Sequence, residues 1–135
     1  MNKQSCFSYP APTCRNCIHD IVNQIIQIQK KAVFNNDCEG CNDPLTRELY
    51  NTRPLTFYLC NGEPFTVIVP GTTNTTALFR IEELKGDCCT LRILERLPNG
   101  GNVNCTNRTA IINLCCVCGI QCFEPIYCAP CNEGC

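Results

Sequence analysis

Hydrophobic positions recur at helical spacing between Cys17 and Phe34. The apolar face consists of Ile18, Ile21, Val22, Ile25, Ile28 or Gln29, and Ala32. This pattern predicts an amphipathic helix. Asn16 suits its N-cap, while Asp20 in the first turn and Lys30 and Lys31 in the last turn complement the helix dipole. The apolar face must be covered by the rest of the chain or by a neighbouring molecule.

After Pro44 the hydrophobic period changes to two. Apolar and polar residues alternate from Leu55 to Cys60 and again from Phe65 to Val69. Asn61 and Gly62 between these segments form a strong signal for a tight turn. The sequence therefore predicts a β-hairpin here.

A second hairpin is predicted from Ala77 to Leu97, with its turn at Lys85-Gly86-Asp87. A polar loop follows, and the apolar segment Ala110–Cys122 predicts a further strand or strand pair. Short strands separated by turns are typical of an antiparallel sandwich or barrel. We predict an α+β fold that is mainly β, with an N-terminal amphipathic helix followed by an antiparallel β-sandwich.

Neighbouring residues of a strand point to opposite faces, so the period assigns cysteines to faces. By this alternation, which we call strand parity, Cys89 points inward with Leu91, while Cys88 and Cys60 point outward. In the last segment the more apolar set lies inward and leaves Cys115 outside: Ala110, Ile112, Leu114, Cys116, Cys118, Ile120 and Cys122. Adjacent cysteines in an extended strand cannot readily bridge each other, because their Cβ vectors diverge.

Cysteine makes up 16 of the 135 residues, concentrated toward the two ends of the chain. We expect residues 1–16 to form a cysteine-bearing N-terminal segment, residues 17–122 the folded core and residues 123–135 a cysteine-rich tail. Met1 to Pro12 contain no apolar run of the length that an export signal needs. We therefore expect a chain that is not exported, although disulfides usually indicate an oxidising compartment.

The net charge of -1 argues against electrostatic binding to nucleic acid or to anionic lipid. No segment is long and apolar enough to suggest a membrane span. Catalysis also has little support. His19 is the single histidine, and a pairing with Cys14 or Cys17 would lack an orienting third group. We expect an ordinary surface or helix-terminal role for His19 and no enzymatic activity.

Zinc binding is an alternative use of the cysteines. Four Cys-x-x-Cys pairs have zinc-ligand spacing, and the first two, Cys14 with Cys17 and Cys38 with Cys41, are separated by about the interval of a four-cysteine site. The predicted helix fills that interval, which weakens this interpretation. No other cofactor is indicated.

Covalent cross-linking between molecules is a further use, since cysteines on the ends and on outward strand faces can meet those of neighbours. Two other hypotheses for the cysteines stay open. All sixteen cysteines could pair within the monomer, as their even number permits, and a secreted disulfide-rich inhibitor or toxin would require an exported precursor.

Several stretches together resemble a known family. They are Asn51-Thr52-Arg53-Pro54, then Phe57-Tyr58 with Gly62-x-Pro64-Phe65, then Phe79-Arg80-Ile81-Glu82, then Cys89-Thr90-Leu91-Arg92-Ile93-Leu94, then Cys118-Gly119-Ile120-Gln121-Cys122. In this order they resemble the cysteine-rich spore coat and exosporium proteins of the CotY, CotZ and ExsY group. The resemblance runs from Cys14 to Cys122, and the doubled Cys88-Cys89 and the tail from Phe123 depart from it.

The resemblance implies a structural protein of the spore surface, made in the mother cell of a spore-forming bacterium. It implies self-association into hexamers and a two-dimensional hexagonal lattice, contacts with other coat or exosporium proteins, and later fixation by disulfides. The cysteines we expect to link molecules are Cys6, Cys14, Cys17, Cys60, Cys88, Cys115, Cys128, Cys131 and Cys135. Those we expect inside the molecule, as internal disulfides or core residues, are Cys89, Cys116, Cys118 and Cys122.

Overall fold

The computed structural model describes residue 14 and residues 16–34, 50–97 and 101–129. Cys6, Cys38, Cys41, Cys131 and Cys135 lie outside these ranges. In the described part of the chain, no helix is both long and apolar enough to cross a membrane.

The predicted helix is confirmed as α1, Cys17–Phe34. The side-chain oxygen of Asn16 accepts the backbone N–H of Ile18 at 2.9 Å, which satisfies one of the free donors at the helix start. Asp20 lies in the first turn and Lys31 in the last. The apolar face packs against the body of the same chain through Ile18, Val22, Ile25 and Ile26.

The rest of the described chain is mostly antiparallel β structure, as predicted. The strands are β1 Leu55–Leu59, β2 Val67–Ile68, β3 Thr75–Thr76, β4 Leu78–Lys85, β5 Cys88–Arg96, β6 Val103–Asn113 and β7 Val117–Cys122. Five of them form one sheet in the order β6-β5-β4-β1-β7, and β2 with β3 forms a second, two-stranded sheet.

The second predicted hairpin is confirmed as β4–β5, with Gly86 at a φ of 59° in its turn. The first hairpin forms only next to its turn. There the Phe65 N–H donates to the Phe57 carbonyl at 2.8 Å, and Pro64 bridges Tyr58. Proline cannot donate a ladder hydrogen bond, and the chain beyond it leaves β1.

β2 consequently pairs with β3. β1 lies between β7 and β4, and its register with β4 is a single pair, Leu55 with Phe79. The prediction that the whole segment up to Val69 pairs with β1 was wrong.

The five-stranded sheet curls strongly. β6 and β7 are its two edges, yet they are joined by a 3-10 helix of only three residues, Leu114–Cys116. A flat sheet would separate these edges by four strand spacings, about 19 Å. The chain from Asn113 to Val117 can span at most about 14 Å. The edges are therefore drawn together, and α1 packs against β4 and β7.

The main core lies between α1 and the sheet, where Phe57, Phe79, Ile81 and Leu91 are fully buried. A smaller cluster contains Leu78, Leu94 and Cys128, and Phe123 and Ile126 pack against it. The C-terminal segment, residues 123–129, therefore lies against the body of the molecule.

This segment explains an unexpected burial on β5. The alternation that places Leu91 inward would put Arg92 on the opposite face, but the Arg92 side chain is only 3% exposed. Its Nη1 donates to the Ala129 carbonyl at 2.9 Å, and Nε lies 3.4 Å from a carboxylate oxygen of Glu82. Burial lowers the pKa of Arg92, while Glu82 opposes that shift.

Candidate functional site: disulfides and free thiols

Five cysteines surround the 3-10 helix that joins β6 to β7, and we call them the linker cluster: Cys14, Cys60, Cys115, Cys116 and Cys118. Asn113 starts the 3-10 helix, because its side-chain oxygen accepts the Cys115 N–H at 2.9 Å. The Leu114 N–H donates to the Asp87 carbonyl at 2.8 Å, and the Leu114 side chain is fully buried. These contacts hold the linker against the β4–β5 turn.

Two disulfides of the linker cluster connect distant parts of the chain. Cys14 pairs with Cys115, 101 residues away, with 5.5 Å between the Cα atoms. Cys60 pairs with Cys118, 58 residues away, with 4.8 Å between the Cα atoms. Cys116 is also disulfide-bonded, and its carbonyl lies 3.7 Å from the Cys60 sulfur. The bonds fasten the start of α1 and the end of β1 to the linker.

A disulfide between Cys105 and Cys128 joins β6 to the C-terminal segment over 23 residues. Here the backbone is also held by hydrogen bonds. The buried side chain of Asn51 accepts the Cys128 N–H and donates to the Cys128 carbonyl, both at 2.8 Å. Ile126 exchanges backbone hydrogen bonds with Thr52 at 3.0 Å. Polar contacts and the disulfide together hold this segment.

In the described ranges the free cysteines are Cys17, Cys88 and Cys122, which are exposed, and Cys89, which is buried. Cys88 and Cys89 confirm the faces that strand parity predicted. Burial raises the pKa of the Cys89 thiol to about 12. The exposed thiols can undergo thiol–disulfide exchange, whereas Cys89 is protected from it.

Strand parity fails after the 3-10 helix. Cys118 and Cys122 were predicted to point inward, but both are exposed, and Val117 is the buried residue at 2% exposure. The 3-10 turn uses three residues per turn, so Val117 rather than Cys118 enters the core. The register between β1 and β7 then shifts at Cys118, which returns Ile120 to the core side, and Cys122 lies beyond it at the exposed end of β7. Cys116, also predicted inward, is half-buried, and so is Cys115, which was predicted to face outward.

The cysteines expected to link molecules fall into three groups. Cys14, Cys60, Cys115 and Cys128 pair within the chain, and Cys128 is buried at 2% exposure. Cys17 and Cys88 are free and exposed. Cys6, Cys131 and Cys135 lie outside the described residues.

Of the cysteines expected inside the molecule, Cys89 is in the core and Cys116 and Cys118 are disulfide-bonded. Cys122 differs, since it is a free surface thiol. Of the alternative zinc ligands, Cys14 is engaged in a disulfide and Cys17 is free, while Cys38 and Cys41 lie outside the described residues.

His19 sits at the helix start, as expected, but is buried to 2% exposure rather than lying at the surface. Its Nε2 is 2.8 Å from a carboxylate oxygen of Asp87, and its Nδ1 is 3.3 Å from the backbone N of Asn16. Asp87 lies 68 residues away in the β4–β5 turn, so no local signal in the sequence could identify it as the partner.

A scan of known families matches residues 6–111 to the model described as spore coat protein Z. No curated protein and no solved structure gives a significant match. The match includes the helix, both predicted hairpins and most of β6, and it agrees with the resemblance that the motifs indicated. Because it covers well over half of the chain, the chain belongs to the spore coat protein Z family.

Proposed function

We propose that this spore coat protein is a building block that self-assembles into a two-dimensional lattice and is then fixed by disulfides between molecules. Family membership supports a structural role at the spore surface. Its partners would be further copies of itself and other spore coat or exosporium proteins.

The observation that carries the proposal is the presence of three exposed free thiols on different elements. Cys17 begins α1, Cys88 begins β5 and Cys122 ends β7. A molecule with two linking thiols can form only chains or rings, whereas a molecule with three can form a network. The internal disulfides leave these three available.

The thiols also lie on different parts of the molecular surface. Cys88 pairs with Asn113 across β5 and β6, beside the linker cluster. Cys122 lies at the far end of β7, about 16 Å from Val117 at the usual rise per strand residue. Links from these positions would therefore extend to different neighbours.

The noncovalent contacts that must precede these links have a candidate surface on β6. This strand is an edge of the five-stranded sheet, spans 11 residues and carries Ile111 at 63% exposure. An edge strand presents unpaired backbone groups that can pair with another molecule. Noncovalent assembly could thus start under reducing conditions, and disulfides between molecules would form when the thiols are oxidised.

The test compares the wild-type protein with the triple variant Cys17→Ser, Cys88→Ser, Cys122→Ser. Under oxidising conditions we expect the wild type to form an ordered layer by negative-stain electron microscopy and a ladder of covalent oligomers on non-reducing gels. The triple variant should form the layer, lose the ladder and dissolve in hot detergent. Cys89→Ala, which removes the buried thiol, is the matched control and should behave as the wild type.

Two results would contradict the proposal. A wild-type protein that stays monomeric in both experiments would exclude self-assembly. An unchanged ladder in the triple variant would show that other cysteines make the links, and replacing Cys6, Cys131 and Cys135 as well would then identify them.

A further inference from the structure

Metal-binding side chains meet where the helix start, the β4–β5 turn and the linker come together. The Cys14 sulfur, a His19 ring nitrogen and an Asp87 carboxylate oxygen all lie within 4.8 Å of one another. The Cys115 sulfur is bonded to that of Cys14. Four potential ligands, two sulfurs, one nitrogen and one oxygen, therefore converge from the helix start, the β4–β5 turn and the linker.

We propose that reduction of the Cys14–Cys115 disulfide converts this cluster into a zinc site formed by Cys14, Cys115, His19 and Asp87. Thiolate, imidazole and carboxylate groups are the usual protein ligands of zinc, and four of them complete a tetrahedral structural site. This set differs from the four-cysteine site that the Cys-x-x-Cys spacing suggested, because it shares only Cys14 with it.

Two of the ligands are already held in place. His19 is 2% exposed and is fixed between Asn16 and Asp87 by contacts of 3.3 and 2.8 Å. Asp87 is held through its own carbonyl, which accepts the Leu114 N–H at 2.8 Å. The ring nitrogen that binds zinc would give up its present contact, and the contact of the other nitrogen would keep the ring oriented.

The distances suit zinc after a small adjustment. Zinc–sulfur and zinc–nitrogen bonds of about 2.3 and 2.0 Å place tetrahedral ligand atoms roughly 3.3 to 3.8 Å apart. The outermost pair must therefore approach by about 1 Å, and His19 Nε2 and the Asp87 carboxylate oxygen, now 2.8 Å apart, must separate by about 0.5 Å if both bind the metal. The two sulfurs must separate from their bonded distance of about 2 Å, which breaking the disulfide allows.

Zinc binding and disulfide formation would exclude each other. Two thiolates bind the metal in the reduced protein. When a soluble disulfide R–S–S–R oxidises them, the two electrons pass to the reagent, the Cys14–Cys115 bond forms, two R–S⁻ thiolates leave and zinc is released. Bound zinc would thus delay oxidation of this pair until the oxidant is in excess. The inference does not depend on lattice assembly.

The test uses the full chain, reduced and free of oxygen, with Co²⁺ as a spectroscopic probe. We expect one equivalent of Co²⁺ to give thiolate charge-transfer bands and to be displaced by Zn²⁺. His19→Gln and Cys115→Ser should each weaken binding by at least about tenfold. Cys60→Ser removes a linker-cluster thiol outside the proposed set and is the matched control, with unchanged affinity expected.

A second measurement guards against loss of structure in the variants. Far-UV circular dichroism should show that each variant keeps its fold. Saturating Zn²⁺ should slow formation of the Cys14–Cys115 disulfide by oxidised dithiothreitol in the wild type, and the slowing should be lost in Asp87→Asn or His19→Gln.

Three outcomes would overturn the inference. They are equal Co²⁺ binding by the oxidised protein, unchanged affinity in folded His19→Gln and Cys115→Ser, and loss of binding on replacing Cys38 and Cys41 instead. None of these results would bear on the cross-linking test, which uses Cys17, Cys88 and Cys122.

Discussion

The linker cluster and the C-terminal segment are held against the body of the molecule in different ways. In both places the chain is held by contacts other than a long run of strand–strand hydrogen bonds. At the linker, disulfides spanning 101 and 58 residues carry the attachment, with a few backbone hydrogen bonds beside them. At the C-terminal segment, one disulfide spanning 23 residues adds to a set of polar contacts from Asn51, Thr52, Arg53 and Arg92.

The difference predicts how each region responds to reduction. A hydrogen-bonded and packed segment keeps its attachments when the sulfur bond is cut. On reduction the linker loses the disulfides of Cys14–Cys115 and Cys60–Cys118, and it keeps the buried Leu114 side chain and its hydrogen bond to Asp87. We therefore expect the chain segments that these disulfides attach, the start of α1 and the end of β1, to depend more on oxidation than the C-terminal segment does.

The largest expected effect comes from removing one disulfide in each region. With Cys60–Cys118 intact, the Cys14–Cys115 bond closes a loop of roughly 50 residues, worth about 4 kcal/mol in chain entropy, whereas the 23-residue loop of Cys105–Cys128 is worth about 3 kcal/mol. Urea unfolding of Cys14→Ser/Cys115→Ser and Cys105→Ser/Cys128→Ser, without reductant, should show the larger loss for the first. An equal or opposite order would contradict the comparison.

The next largest effect concerns the hydrogen bonds that hold the C-terminal segment. Asn51→Ala removes two hydrogen bonds from the buried backbone of Cys128 and leaves both groups without this partner, which should lower the free energy of unfolding by about 2 to 3 kcal/mol. Asn104→Ala, at an exposed site on β6, is the matched control and should cost less than about 0.5 kcal/mol.

Limited proteolysis can separate this effect from a general loss of stability. The Asn51→Ala variant should be cut first near the C-terminal segment, with the linker still intact. Unchanged stability in Asn51→Ala would mean that the disulfide alone holds the segment.

The sequence predicted what depends on local periodicity. Helix α1, with its cap at Asn16, and the β4–β5 hairpin follow from spacing alone, because each element buries one regular face. The opposite environments of Cys88 and Cys89 follow for the same reason.

Features that depend on distant contacts could not be predicted in this way. The apolar alternation continues through Leu114–Cys116, so nothing in the pattern indicates the 3-10 turn and the register shift after it that leave Cys118 exposed. The pairing of Cys14 with Cys115 and the contact of His19 with Asp87 require the folded topology. Arg92 is buried because the C-terminal segment covers it, and a strand pattern carries no information about that covering.

The smallest expected effect is on the reactivity of Cys89. This thiol reports whether the ends of β5 and β6 beside the linker cluster, which we call the linker end, stay closed to solvent. Cys89 is fully buried on β5, opposite Ile112 of β6, next to the strand ends that the linker cluster fastens. Iodoacetamide at pH 8 to 9 should alkylate Cys88 and spare Cys89 in the wild type. Cys89 should become reactive in Cys14→Ser/Cys115→Ser and stay protected in Cys105→Ser/Cys128→Ser. Equal protection of Cys89 in both variants would show that the linker end stays closed without its disulfide.

The pH dependence of the free energy of unfolding gives an independent measure of how well the Cys89 thiol is buried. The Cys89 pKa is raised from 9.0 to about 12, so above pH 9 the unfolded chain loses this proton while the folded chain retains it. The stabilisation is fully present below pH 9 and is lost as the pH rises toward 12, with a slope of about 1.4 kcal/mol per pH unit. With exposed thiols first capped, Cys89→Ala should lack this component of the slope. If the two proteins instead show identical slopes between pH 9 and 11, the Cys89 thiol ionises in the folded protein, and the linker end is open to water.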